Sequence, residues 1–186
     1  MMKVVKLLMI LLTIGRLTAA EDAAHEELRT LRVQIIDAIT QGDIDGVMKH
    51  MHPDAVITWQ NSEVCRGQKG LKEFFDRMGK NSFKGYKVPP TPDELTILHG
   101  GDTGISFGET VAEYRLLGKS YELKSRWTAT LVKVDGKWLL AAYHISMNVL
   151  DNPILTTARQ GLYLGAAIAL VIGILIGRMF TKHRAA

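Results

Sequence analysis

The sequence is short of the residues that would make its chemistry obvious. Cys65 is the only cysteine among 186 residues. That excludes an intrachain disulfide and any zinc site built on cysteine pairs, and Cys65 reads as a small buried hydrophobe. No glycine-rich phosphate loop opens a helix, and no serine sits in a strand-to-helix elbow, so no cofactor is expected. Aromatic residues make up 7% of the chain and none interleave with a basic run, so nucleic acid is not an expected partner. The formal charge of +4 collects at the ends, on Lys3, Lys6, Arg16, Arg159, Arg178, Lys182 and Arg184. Between them the chain is neutral to acidic. His50, His52 and Asp54 are spaced as ligands along a strand would be. They fall at a helix end and a Pro53–Asp54 turn, and no metal site is expected.

What the chain does have is two long apolar runs. The first, Leu7 to Gly15, follows Lys3 and Lys6 and precedes Ala19–Ala20. It is too short to cross a bilayer, so residues 1–20 read as a cleaved signal peptide. The second, Leu162 to Gly177, carries no charge and reaches about 24 Å as a helix. Met179 and Phe180 extend it if Arg178 snorkels. Residues 161–180 therefore read as a transmembrane helix, with Tyr163 at one interface. Arg178, Lys182 and Arg184 place the tail 181–186 in the cytoplasm. The domain at 21–150 is then extracytoplasmic, periplasmic or extracellular, and 151–160 is a tether with a turn at Asn152–Pro153. Gly161, Gly165, Gly173 and Gly177 form pairs that let two such helices approach closely.

The middle of the chain predicts an α+β domain. Ala23 to Gln41 is an amphipathic helix stopped by Gly42. Asp43 caps a short second helix, AVITW (55–59) is a strand, and Leu71 to Met78 is a third helix. Asn81 to Pro92, with three prolines, reads as a loop, followed by a short strand at Glu94 to Leu98. Gly104–Leu117, Ser120–Val134 and Lys137–Asn148 read as long antiparallel strands joined by two-residue turns at Gly118–Lys119 and Asp135–Gly136. With those turns Tyr114 opposes Leu123, Ala112 opposes Ser125, and Trp127 opposes His144. Tyr114, Tyr121, Leu123, Trp127, Leu131, Trp138, Leu140, Ala142 and His144 then share one face toward the helices. Glu109, Glu113, Glu122, Lys124, Arg126 and Thr128 share the other, with Arg126, Glu113 and Glu122 as a ladder of ion pairs. One bulge would reverse part of this assignment.

The stretches HPDAVITW, CRGQKGLKEFF and SRWTATLVKVDGKWLLAAYHIS resemble the ketosteroid isomerase/SnoaL-like (nuclear transport factor two-like) superfamily over about Glu26 to Asn148. The ending DGKW…YHIS also resembles the association domain of calmodulin-dependent kinases. The resemblance implies a cone: a curved antiparallel sheet wrapped around helices, open at one end to an apolar pocket, and commonly a homodimer through the outer sheet face. It does not carry the isomerase mechanism over. The family's aspartate base falls at Trp59, and Ala23 to Gln41 holds no tyrosine to act as oxyanion donor.

The expected pocket residues are Trp59, Tyr114, Trp127 and His144. His144 is the candidate acid/base, its ordinary pKa lying near neutrality; a buried histidine satisfied by a carbonyl is the plainer alternative. Trp59 and Trp127 would stack on a flat ligand, or else pack the core. Three readings follow: a membrane-tethered module binding a small apolar or aromatic molecule without catalysis, an enzyme of the isomerase, cyclase or hydrolase type using His144, or a dimerisation module with no ligand.

Overall fold

The structure is a computed structural model that describes residues 2–78 and 83–184, with side chains at 21–78, 83–178 and 180. The expected leader, 1–20, and the expected tail, 181–186, lie outside the described side chains. The chain forms two units, 1–147 and 148–186.

In the first unit, helix α1 (Met2–Gln41) spans both the expected leader and the amphipathic helix. Gly42, at φ 70°, ends it. Asp43 then caps α2 (Ile44–Met48) by accepting from the Gly46 amide at 2.9 Å. Next come β1 (Met51–Thr58), β2 (Val64–Arg66) and α3 (Gly67–Met78). Strands β3 (Phe83–Pro92), β4 (Ile97–His99), β5 (Thr103–Leu116), β6 (Lys119–Val134) and β7 (Lys137–Met147) complete it. They form one seven-stranded sheet in the order β2-β1-β7-β6-β5-β3, with β4 on β5. The core lies between the helices and one sheet face: Leu28 and Leu31 of α1, Val47 of α2, and Leu71 and Phe74 of α3 meet Trp127, Leu131, Leu140 and Ile145.

Five features differ from the expectations, each for a local reason. First, the sheet is mixed, because β1 runs parallel to β7. No hairpin joins these two strands, so a turn does not dictate their direction. Pro53 and Asp54 lie inside β1, at the irregularity between Met51 and Val56, rather than in a turn.

Second, the segment expected as a loop is β3. It is an edge strand, where prolines lacking an N–H are tolerated, and its pairing with β5 shifts register repeatedly around Val88 to Thr91. The Thr110 hydroxyl, fully buried, donates to the Val88 carbonyl at 2.8 Å and holds β3 in place.

Third, the first hairpin turn is Leu117–Gly118, with φ 49° and 78°, both positive as a type I′ turn requires. Tyr114 therefore pairs with Tyr121, and Ala112 with Leu123. A two-residue slip leaves every side chain on its expected face. Asp135–Gly136 turns where expected.

Fourth, Leu131 pairs with Leu140 but Thr130 pairs with Ala142, which leaves Ala141 as an extra residue. This bulge inverts the rest of β7: Trp127 opposes Ile145, and His144 opposes Thr128. Fifth, the outer-face ladder is rearranged. Arg126 pairs with Asp93, and Lys87 holds Glu122 at 2.6 Å. Glu113 lies directly opposite Glu122, a like-charge pair that Lys87 offsets.

The second unit is α4 (Pro153–Arg184). Asn152 caps it by accepting from the Leu155 amide at 2.9 Å. Its stretch Pro153–Arg178, 26 residues, is long and apolar enough to cross a membrane, and its apolar side chains are exposed.

Candidate ligand cavity

A cavity of about 410 Å³ opens between α1 and the concave face of the sheet. Its sheet side is an aromatic wall. Tyr143 of β7 lies between Trp127 (ring centroids 6.1 Å apart, nearly parallel) and Trp59 (6.3 Å). Trp59 is itself stacked on Phe74 of α3 at 4.6 Å and tied to Cys65, its indole N–H pointing at Sγ from 3.3 Å. Burial pushes the Cys65 thiol up. The Trp127 indole donates to the Glu109 carbonyl of β5 at 3.0 Å. Each ring is thus held by a polar handle or a neighbouring ring, so the wall is pre-organised rather than adaptable. The opposite wall is α1, through Leu28, Ile35, Ile36 and Ile39, and Tyr86, Pro90 and Pro92 of β3 close one side.

Tyr86 and Tyr143 bring hydroxyls to the lining. Burial holds the Tyr86 and Tyr143 phenols far above the usual range, and each would be further opposed by a neighbouring tyrosinate. Tyr114 is pushed up to about 12 by burial. All three are therefore neutral donors at ordinary pH. Tyr114 donates to the Gln60 side-chain oxygen at 3.2 Å, and the Gln60 amide donates to Ser125 at 2.6 Å. Ser125 lies two residues along β6 from Trp127 on the same buried face. The Tyr86 and Tyr143 hydroxyls have no partner among the described residues.

Of the expected pocket residues, Trp59 and Trp127 line the cavity, whereas Tyr114 is not in the lining and donates its hydroxyl to Gln60. His144 does not. The Ala141 bulge turns it to the outer face, where it is exposed. Its neighbour Tyr143 takes the inward place, so the expectation of a pocket histidine acting as acid/base is corrected. Tyr143, Tyr86 and Gln60 escaped the sequence reading. The first was hidden by the bulge and the second by three prolines that read as loop. Gln60 follows a strand end, a position with no sequence signal of its own.

Residues 28–150 match the SnoaL-like domain family. Among solved structures, a candidate scytalone dehydratase from Novosphingobium aromaticivorans superposes with a TM-score of 0.62 at 13% identity, over 71% of this chain and 89% of that one. A type 3 hexachlorocyclohexane dehydrochlorinase from Novosphingobium barchaimii gives 0.61 at 13% identity, over 70% and 90%. A ketosteroid isomerase-like protein from Erwinia carotovora atroseptica gives 0.54 at 17%, over 64% and 92%. At these identities the likeness shows the fold alone. No curated protein matches the sequence.

Proposed function

From the premise that the chain belongs to the SnoaL-like domain family, we propose that its cavity binds a small apolar or aromatic molecule, as a binding module tethered to a membrane by α4. The observation that carries this reading is the Trp59–Tyr143–Trp127 wall facing an apolar cavity of about 410 Å³, a size and chemistry suited to small ligands. Besides the tyrosines, the titratable groups that line the cavity are His25, Arg29, Arg32 and Glu94. None lies on the strands that carry the aromatic wall. In the same reading residues 1–20 are a leader, the domain 21–150 is extracytoplasmic, the tail is cytoplasmic, and the outer sheet face pairs two copies.

Titration of the full-length protein with naphthalene derivatives, followed by calorimetry, tests the cavity. Trp127→Ala should weaken binding at least about tenfold, the cost of losing a buried aromatic contact. Unchanged affinity in a folded variant would remove the aromatic wall from the site.

A second reading is an enzyme of the elimination type named for two of the structural neighbours. The unpartnered Tyr86 and Tyr143 hydroxyls favour it, as neutral donors able to stabilise developing negative charge. It no longer involves His144. Turnover lost by two to three orders of magnitude in Tyr143→Phe, with binding retained, would select it.

A further inference from the structure

The cavity-facing stripe of α1 carries His25 and Arg29 at its N-terminal end and from Leu31 to Ile39 is apolar except at Arg32. Leu28, Leu31, Ile35, Ile36 and Ile39 line the cavity, and Arg32 lines it among them. Arg32 is half-buried, and its one hydrogen bond runs from Nη1 to the Pro90 carbonyl of β3 at 3.3 Å. A guanidinium carries five N–H donors in a planar fork, so most of this one has no acceptor among the described residues. Taking a cation out of water without returning its hydrogen bonds costs free energy.

The neighbouring charges do not supply what is missing. Arg29, also in the lining, is paired with Glu26. Glu94 lines the cavity but forms no ion pair with Arg32, and Asp93 beside it is taken by Arg126. His25 adds a further nitrogen base on α1. The cavity thus offers an aromatic wall on the sheet and, across it, a cationic fork on the helix.

We infer that the molecule bound in the cavity is an organic acid. Its flat apolar body lies against Trp59, Tyr143 and Trp127, and its carboxylate is gripped by the Arg32 guanidinium. The inference rests on the ligand-binding reading above and adds the chemical class. A carboxylate matches the planar fork in a two-point contact and brings one negative charge to one uncompensated positive charge. A phosphate dianion would call for a second cation, and Arg29 is committed to Glu26.

The test uses the full chain in phosphatidylcholine nanodiscs, with empty nanodiscs titrated as the blank. Calorimetry compares 2-naphthoate with 2-naphthamide, which has the same shape and no charge. The wild-type protein should bind 2-naphthoate at least about tenfold more tightly, the size of one hydrogen bond to a charged group. Arg32→Met should bring the two affinities together, and Arg32→Lys should keep part of the difference. Equal affinity of the two probes for the wild-type chain would overturn the inference and leave the cavity-binding reading standing. No binding of either probe up to millimolar concentration would overturn both. The wild-type comparison decides the matter even if Arg32→Met does not fold.

Discussion

At the scale of single residues, three sites carry separable consequences. Gly108 lies where β3 crosses β5. A Cβ there would overlap the Thr91 carbonyl oxygen and come within 2.8 Å of Pro92 Cα. These are backbone atoms that cannot swing aside, so Gly108→Ala should cost about 2–3 kcal/mol by overpacking, read as a lower denaturation midpoint at constant slope. His144 and Tyr143 are adjacent and opposite in role. His144→Ala should change stability by less than about 0.5 kcal/mol, as exposed sites do, and leave ligand affinity unaltered. Tyr143→Ala should cost about 3 kcal/mol or more and abolish binding. The third consequence is alkaline sensitivity. Above pH of about 10 the tyrosines of the unfolded chain ionise, while Tyr86, Tyr114 and Tyr143 stay protonated when folded. The unfolded state then binds fewer protons, so stability falls as pH rises, by about 1.4 kcal/mol per pH unit for each such tyrosine. For Tyr114 the fall ends near pH 12. Denaturation series at pH 9, 10.5 and 11.5 should show that slope, and Tyr86→Phe or Tyr143→Phe should flatten it.

At the scale of elements, the decisive feature is one residue of bulge. Deleting Ala141 would remove the bulge and leave Leu140 opposite Leu131 and Ala142 opposite Thr130, so Tyr143 stays inward and His144 outward. The variant should keep the aromatic wall and its ligand binding in calorimetry, and loss of binding in a folded variant would contradict the register given to Tyr143. This also marks how far the sequence could be read. Helices showed through Leu28, Leu31, Ile35 and Ile39 on one stripe, and the meander through Asp135–Gly136 and the alternation of β6. These are local signals with a fixed period. The face of β7 depends on whether an extra residue sits opposite Thr130 and Leu131, and nothing local in LLAAYHIS encodes that. The prolines of β3 are equally silent, because an edge strand and a loop tolerate them alike. Trp59 and Trp127 could therefore be named as cavity residues, while Tyr143 and Tyr86 could not.

At the scale of the molecule, topology and assembly follow from the proposed tether. Alkaline phosphatase fused after Leu150 should be active and after Ala186 inactive, and the reverse would end the extracytoplasmic reading. The segment from Glu21 to Asn152 should run as a dimer by size exclusion with light scattering. A monomer at high micromolar concentration would leave α4 as the association surface.

The parallel pairing of β1 with β7 has a consequence for biosynthesis. A chain made or exported from its N-terminus delivers β1 early, yet the strand that flanks it ends at Met147, six residues before α4 begins at Pro153. Until then β1 has only β2 beside it, and the greasy stripe of α1 has an incomplete sheet to cover it. Such non-local closure is slow, and the waiting chain is prone to stick to others. Nascent chains halted at Val134 should be cleaved readily by protease, and those reaching Asn152 should resist. The domain thus locks at nearly the moment α4 arrives, so that the hazardous interval is spent on the unfinished chain and not on the finished one.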